Sequence, residues 1–226
     1  MPLRALFFDF DGLILDTETP EVEAWREIFR EYGVEYPDAY WMAQIGRGAD
    51  QIRERPEALL ERFTGLTLDH DAIRTEYRRR AHARINLQPI LPGVVDLAKE
   101  ARASGLHVAV VSSSQHAWCD GHLARLGIAD LFDRVVCRGD AARAKPFPDL
   151  YLFACVLFGI QSTEAIALED SANGLTAANA AGISSIAIPN SVTKHLDLSH
   201  AKAQFASVGK LSHVLLTTLA FDDPAK

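Results

Sequence analysis

The sequence predicts an α/β protein in which a doubly wound parallel sheet carries a helical cap domain inserted after the first strand. Short apolar runs rich in Val, Ile, Leu and Phe alternate with longer helical patterns along most of the chain, which is typical of a sheet buried between helices. One interval interrupts this alternation with Arg- and Glu-rich helical patterns. Because the interruption follows the first apolar run, we expect the helical domain to be threaded between two strands of one sheet.

Five short apolar runs are the predicted strands of this Rossmann-like sheet. They span residues 3–10, 107–111, 134–137, 165–168 and 184–188. Pro92-Gly93 begins the helical pattern that leads into the second run, and a glycine closes the helical stretch shortly before each of the last four runs. Such joints are typical of βαβ units, in which consecutive strands are parallel.

The helical interval predicts a cap domain of residues 16–89, which leaves residues 1–15 and 90–226 to the core domain. Within the cap, Trp25 and Phe29 follow helical spacing, and two prolines divide the pattern into several helices. The aromatic residues expected in the core of the cap are Trp25, Phe29, Trp41 and Phe63. The cap arginines are expected to pair mainly with neighbouring acids on solvated faces, with one or two facing the substrate.

Composition limits the possible partners of the chain. With 226 residues, 48% of them hydrophobic, it can bury a full core, and its net charge of −7 argues against nucleic acid as a partner. Three cysteines without a paired spacing fit a reducing cytoplasm. The first apolar run is interrupted by Asp9, so we expect neither a signal peptide nor a membrane-spanning segment.

Two acids follow the first predicted strand and are the candidate catalytic residues. Ligands of doubly wound sheets bind at the carboxyl ends of the strands, where Asp9 and Asp11 stand before Gly12. If both side chains lie on one side of the extended segment, one can attack phosphorus while the other handles the proton of the leaving group. On its own, Asp-x-Asp-Gly is more often a turn.

A second pair of acids, Glu169 and Asp170, follows a later strand and predicts a metal site. Carboxylates this close repel one another unless a cation lies among them. Oxygen ligands without His or Cys suit Mg²⁺ rather than zinc. Asp170 is the stronger ligand candidate. The alternative is that the two acids, or Ser171, cap the following helix.

Phosphate-binding groups are predicted on two further loops. The second strand ends in three serines, where a hydroxyl and loop N–H groups can bind a phosphoryl oxygen. Ser112 is best placed, and Ser113 or Ser114 are alternatives. Lys145 stands in a loop stiffened by two prolines, where a fixed cation would offset phosphate charge. The simpler alternatives are solvated serines and a surface lysine.

Taken together and in order, these segments resemble the haloacid dehalogenase-like superfamily, in the branch of β-phosphoglucomutase and small sugar-phosphate phosphatases. The resemblance covers nearly the whole chain. It rests on residues 8–16, 111–112, 145–149 and 168–182, which contain Phe-Asp-Phe-Asp-Gly with a later Asp, Val-Ser, Lys-Pro-Phe-Pro-Asp, and Leu-Glu-Asp-Ser-Ala-Asn-Gly followed by Ala-Ala-Gly.

The resemblance implies a mechanism for a small-molecule phosphate ester. Asp9 would become an aspartyl-phosphate, and Asp11 would act first as general acid and then as general base. Ser112 and Lys145 would bind the transferring phosphoryl group. Mg²⁺ would take a carboxylate oxygen of Asp9, the main-chain carbonyl of Asp11 and the side chain of Asp170.

Three residue patterns separate the reactions known for this superfamily. Its dehalogenases lack the second acid of the first motif, which is present here as Asp11. Its phosphonate hydrolases use a cap lysine, whereas the first lysine of this chain is Lys99. Glu21 stands where the mutase has a cap histidine. We therefore predict a Mg²⁺-dependent phosphatase, with a β-phosphoglucomutase-like mutase or a noncatalytic binding protein as alternatives.

A loop of the cap is a candidate for substrate selection. The segment containing Gly46 and Arg47 resembles the specificity loop of related caps, where an arginine can meet a phosphate or carboxylate of the substrate. A plain turn between helices is the alternative. The cap is expected to close over the site and exclude water, with hinges near residues 16–17 and within residues 88–92.

Overall fold

The computed structural model describes residues 2–46 and 54–221 and contains a six-stranded parallel sheet with helices on both faces. The strands are β1 (Ala5–Phe8), β2 (His107–Val111), β3 (Arg134–Val136), β4 (Ala165–Glu169), β5 (Ser184–Ala187) and β6 (Ala203–Gln204). The helices are α1 (Glu18–Glu31), α2 (Asp38–Met42), α3 (Pro56–Thr64), α4 (His70–Ile85), α5 (Val94–Ala103), α6 (His116–Arg125), α7 (Asp149–Phe158), α8 (Ala172–Ala180) and α9 (His213–Phe221). Within the described residues, no helix is both long and apolar enough to cross a membrane.

The strand order is β3-β2-β1-β4-β5-β6, so the first strand lies in the middle of the sheet. Phe8, the last residue of β1, pairs with Val110 of β2 on one side and with Leu168 of β4 on the other. All neighbouring strands are parallel, so their carboxyl ends share one edge. The five predicted strands are confirmed, whereas β6 was not predicted, because two residues carry too little pattern.

Alternate residues of β1 enter two different cores. Leu6 and Phe8 pack on one face of the sheet, with α5, α6 and α9. Ala5 and Phe7 pack on the other face, with α7 and α8. This alternation follows from the two-residue period of a strand, and burial on both faces explains why the strands are almost entirely apolar.

Helices α1 to α4 form the cap that the sequence predicts between the first two strands. Helix α1 packs along α4, and Trp25 stacks on Tyr77 with ring centroids 4.3 Å apart. Trp25 and Phe29 are buried in the cap core as predicted. The same prediction for Phe63 is wrong. The residue is 43% exposed: its ring meets Phe29 edge to face with centroids 6.4 Å apart, and the Arg62 guanidinium lies over it.

The chain enters and leaves the cap along two adjacent segments. Leu15 forms an antiparallel bridge with Ile90, and the Leu91 N–H donates to the Ile14 carbonyl at 2.9 Å. These contacts lie beside both expected hinges. The domain boundaries at residues 15/16 and 89/90 stay predictions.

Candidate active site

Three acidic side chains meet at the carboxyl edge of the sheet. Asp9 follows β1, Glu169 ends the adjacent strand β4, and Asp170 comes next. One carboxylate oxygen of each lies within 4.8 Å of the others. Lys145, from the loop before α7, places Nζ 2.5 Å from Asp9 Oδ1 and 2.6 Å from Glu169 Oε1. The alternative of a surface lysine is wrong, because the Lys145 side chain is only 1% exposed.

The negative charge of these three carboxylates exceeds the positive charge of Lys145. Burial, together with the charges of Glu169 and Asp11, raises the pKa of Asp9 to about 8 although Lys145 opposes the change. Burial and neighbouring carboxylates also raise the pKa of Asp170 well above its usual value. For Lys145, burial lowers the pKa, but the two carboxylates outweigh it and the net change is upward. The site therefore favours a further cation.

The same acids fit a hard divalent metal ion. Asp170 Oδ1 and Glu169 Oε2 are buried and find no hydrogen-bond partner among the described residues. The other Asp170 oxygen, Oδ2, accepts a hydrogen bond from Asn190 Nδ2 at 2.7 Å. Three carboxylates without nitrogen or sulphur ligands form a donor set that suits Mg²⁺. The predicted contribution of the Asp11 main-chain carbonyl stays a prediction.

The Asp11 carboxylate is not part of the metal group, and the described residues give it four hydrogen bonds. Thr17 Oγ1 donates to Oδ1 at 2.9 Å and Trp118 Nε1 donates to the same atom at 2.8 Å. Ser114 Oγ donates to Oδ2 at 2.6 Å, and Ser112 Oγ reaches it at 3.4 Å. The two acids of the first motif thus have different environments, as separate roles require.

The serines after β2 divide their hydroxyls among different partners. Ser112 is buried, and its Oγ accepts a hydrogen bond from the Ser114 N–H at 3.0 Å. Ser113 Oγ donates to the carbonyl of Gly46 in the cap at 3.1 Å. Phosphate binding by Ser112 and Ser113 stays a prediction.

A cavity of about 420 Å³ separates the cap from this edge of the sheet. The core lines it with Asp9, Asp11 and the serine loop, and the cap lines it with α1, α4 and the segment before residue 47. Glu21, on α1, faces this cavity. Burial and the charge of Asp11 raise the pKa of Glu21 to about 8, while a hydrogen bond with Tyr77 opposes the change.

The predicted specificity loop contacts the core. Asn173 Nδ2 donates to the Ile45 carbonyl at 2.6 Å. Gly46 has a φ of 76°, and a Cβ there would lie 2.2 Å from Ser171 Oγ, so this close approach requires glycine. Gly46 also lines the cavity. Arg47 lies outside the described residues.

Among the described residues, three cap arginines line the cavity, namely Arg55, Arg74 and Arg78. Arg74 is held by Glu57, with Nε donating to Oε1 at 2.7 Å. Other cap arginines pair with glutamates on the helix surfaces, as the sequence predicts.

The helix after β4 begins at a serine cap. Ser171 Oγ accepts a hydrogen bond from the Gly174 N–H at 3.1 Å. The alternative that Glu169 and Asp170 cap this helix is wrong, because both carboxylates face the buried site. Gly174 also leaves space for Glu169, since a Cβ at this position would lie 1.8 Å from Oε2.

Sequence reasoning missed several residues that hold this site. They are Thr17, Glu18, Trp118, Tyr151 and Asn190. Asn190 follows β5 by three residues, so the same reasoning about strand ends would have found it. Thr17 and Glu18 directly follow the first motif. The Trp118 and Tyr151 side chains gave no local signal, because an aromatic residue on a helix usually belongs to the core.

Comparisons with known proteins agree on one family. The family model of haloacid dehalogenase-like hydrolases matches residues 6–188. The putative phosphatase YhcW of Bacillus subtilis is 37% identical over 214 residues, which cover 95% of this chain and 96% of that protein. The fructose-1-phosphate phosphatase YqaB of Escherichia coli is 33% identical over 183 residues, which cover 80% of this chain and 94% of that protein.

A solved structure supports the same fold. The crystal structure of β-phosphoglucomutase from Clostridium difficile matches with a TM-score of 0.74 at 23% identity and covers 97% of each chain. The predicted α/β fold with an inserted cap is thereby confirmed. Together with the extent of the family match, these relatives show that the chain belongs to the haloacid dehalogenase-like hydrolase family.

Proposed function

We propose that this protein is a Mg²⁺-dependent phosphatase that hydrolyses a small phosphate monoester, such as a sugar phosphate, through an aspartyl-phosphate on Asp9. The observation that carries the proposal is the buried Lys145 ammonium, bound to Asp9 and Glu169 beside the cavity between cap and core that Asp9 lines. The relatives described as a putative phosphatase and a fructose-1-phosphate phosphatase support the same class of reaction.

In the first step, a carboxylate oxygen of Asp9 attacks phosphorus. The new bond joins this oxygen to the phosphoryl group while the bond from phosphorus to the ester oxygen breaks. Lys145, 2.5 Å from Asp9 Oδ1, favours the ionised nucleophile and offsets the negative charge that gathers in the transition state. Ser112, Ser113 and the N–H groups of their loop bind the phosphoryl oxygens.

Asp11 handles the protons of both steps. As the ester bond breaks, Asp11 gives its proton to the departing alkoxide, which leaves as an alcohol. In the second step, Asp11 takes a proton from the water molecule that attacks the aspartyl-phosphate, and inorganic phosphate leaves. Asp9 is then ionised again and Asp11 is again protonated.

The acidic group of the site would hold the metal ion. Asp9, Asp170 and the main-chain carbonyl of Asp11 would bind Mg²⁺, with Glu169 next to them. When bound, the ion supplies positive charge that offsets the charge of the phosphoryl oxygens. The partnerless oxygens of Asp170 and Glu169 support this assignment.

The cavity limits the size of the substrate. Its volume of about 420 Å³ falls within the range of pockets for small metabolites, about 300 to 1,000 Å³. Because its pKa is raised, Glu21 can accept a hydrogen bond from a sugar hydroxyl or donate one to it near neutral pH. Gly46 and Arg47 belong to the cap loop proposed to select the substrate.

Phosphate release tests the proposal directly. Wild type should release inorganic phosphate from sugar phosphates with Mg²⁺ but not with EDTA, and Asp9→Asn should abolish the release. Asp130→Asn, an exposed acid elsewhere on the core, is the matched control and should retain wild-type rates. If Asp9→Asn releases phosphate at the wild-type rate, the assignment of Asp9 as nucleophile is refuted. Conversion of β-glucose 1-phosphate to glucose 6-phosphate without phosphate release would establish the mutase instead.

A further inference from the structure

Trp118 connects Asp11 to the cap. The residue lies in the first turn of α6, directly after the serine loop, and its indole Nε1 donates to Asp11 Oδ1 at 2.8 Å. We propose that Trp118 is a positioning residue for Asp11 and that His82 of the cap holds the indole in place. The proposal rests on the proposed role of Asp11 as general acid.

The indole and the serine hydroxyls contact different oxygens of Asp11. An indole N–H only donates, so Oδ1 accepts from Trp118, and this contact orients the carboxyl group. The groups that contact Oδ2 are the hydroxyls of Ser114 and Ser112, which can rotate and accept instead. The indole thus holds Oδ1, and Oδ2 is the oxygen through which Asp11 would exchange a proton with the ester oxygen as the bond to phosphorus breaks.

Two histidine rings hold the indole. His122, one turn further along α6, meets Trp118 edge to face with ring centroids 4.4 Å apart and an interplanar angle of 80°. His82, near the end of α4, packs on the indole from the cap with centroids 5.1 Å apart. Arg125 strengthens this junction, because its Nη1 donates to the Asn86 carbonyl just after α4, at 3.0 Å.

This arrangement makes the geometry of the general acid depend on the cap. When α4 lies against α6, His82 limits the rotation of the indole, and the indole N–H holds the Asp11 carboxyl plane. If α4 moves away, Trp118 loses the ring contact with His82 and keeps the one with His122. The Asp11 carboxyl group is therefore oriented for proton donation only when the cap lies against the core. In that state the cap also excludes water from the bound ester.

The test compares two esters that differ in their need for a proton. An alkyl phosphate releases an alkoxide that requires general-acid assistance, whereas p-nitrophenyl phosphate releases a stabilised anion. Trp118→Phe keeps an aromatic ring but loses the donor, so kcat for the alkyl ester should fall about tenfold while kcat for p-nitrophenyl phosphate changes little. His82→Ala should also lower kcat for the alkyl ester relative to kcat for p-nitrophenyl phosphate, but by a smaller factor. Asp11→Asn should lower this ratio by the largest factor.

Asp130→Asn is the control. Asp130 is exposed on the core and does not line the cavity, so the ratio of the two kcat values should stay at the wild-type level. Thermal unfolding of each variant checks that it is folded. An equal fall for both esters in Trp118→Phe would overturn the positioning role, and an unchanged ratio in His82→Ala would overturn the role of the cap. If Asp11→Asn lowers kcat equally for both esters, the assignment of Asp11 as general acid is refuted instead.

Discussion

Replacement of Glu21 by Gln should make the folded protein more resistant to alkaline pH. Burial, together with the charge of Asp11, raises the pKa of Glu21 from 4.5 to about 8 in the folded state. Because the folded pKa is the higher one, the folded protein binds this proton more tightly than the unfolded chain does. The resulting stability is complete below pH 4.5, declines as the pH rises, and is lost once the pH passes 8.

The size of this effect follows from the two pKa values. They differ by about 3.5, and each unit corresponds to about 1.36 kcal/mol, which sets an upper bound of about 5 kcal/mol. Water in the cavity screens the charge of Glu21, so we expect about half of this bound. For a chain of this size, a change of 1 kcal/mol moves Tm by about 2 to 4 °C, so Glu21→Gln should raise Tm at pH 8.5 by about 5 to 10 °C.

The assay is thermal unfolding of both proteins at pH 4.5, 6.5 and 8.5 in EDTA. The difference in Tm between the two proteins should be small at pH 4.5 and should grow with pH. Glu23→Gln is the matched control, since Glu23 is exposed on the same helix, and its Tm should follow that of wild type. A constant difference between Glu21→Gln and wild type across this range would refute the reasoning.

Two further predictions concern the acidic group. Addition of Mg²⁺ at about 100 times its Kd should raise the free energy of unfolding of wild type by about 2.7 kcal/mol, measured by thermal unfolding. Asp170→Asn should lose most of this increase. An equal increase in the variant would exclude Asp170 as a ligand. Gly174→Ala should destabilise the protein by more than about 2 kcal/mol in urea unfolding, because its Cβ would lie 1.8 Å from Glu169 Oε2. Gly121→Ala, at an open position in a helix, should instead be neutral or stabilising, and equal effects of the two alanines would contradict the packing argument.

The buried acids and Lys145 illustrate how far local sequence patterns reach. Asp9 and Asp170 each follow an apolar run that forms a strand, and parallel strands carry such residues to one edge. This regularity allowed their proximity to be predicted across 161 positions. Lys145 was placed near them by the resemblance, and the structure adds that it is almost fully buried between Asp9 and Glu169.

No comparable sequence pattern predicted which residues surround Asp11. Trp118 lies 107 residues away on an ordinary helix, and the sequence alone would assign it to the core. Its hydrogen bond depends on how α6 is oriented at the sheet edge, which is a result of packing. The same holds for Ser113, whose hydroxyl contacts Gly46 of the cap.

The sequence by itself determined the parallel sheet, the inserted cap and the acids at the strand ends, because strand periodicity and strand polarity are local properties that carry over into the fold. Only the tertiary structure decided which groups hold each acid. The Lys145 contacts with Asp9 and Glu169, the Trp118 contact with Asp11 and the contact of Gly46 with the serine loop join segments far apart in the chain. These contacts follow from the packing of helices and loops around the sheet, which no single segment encodes.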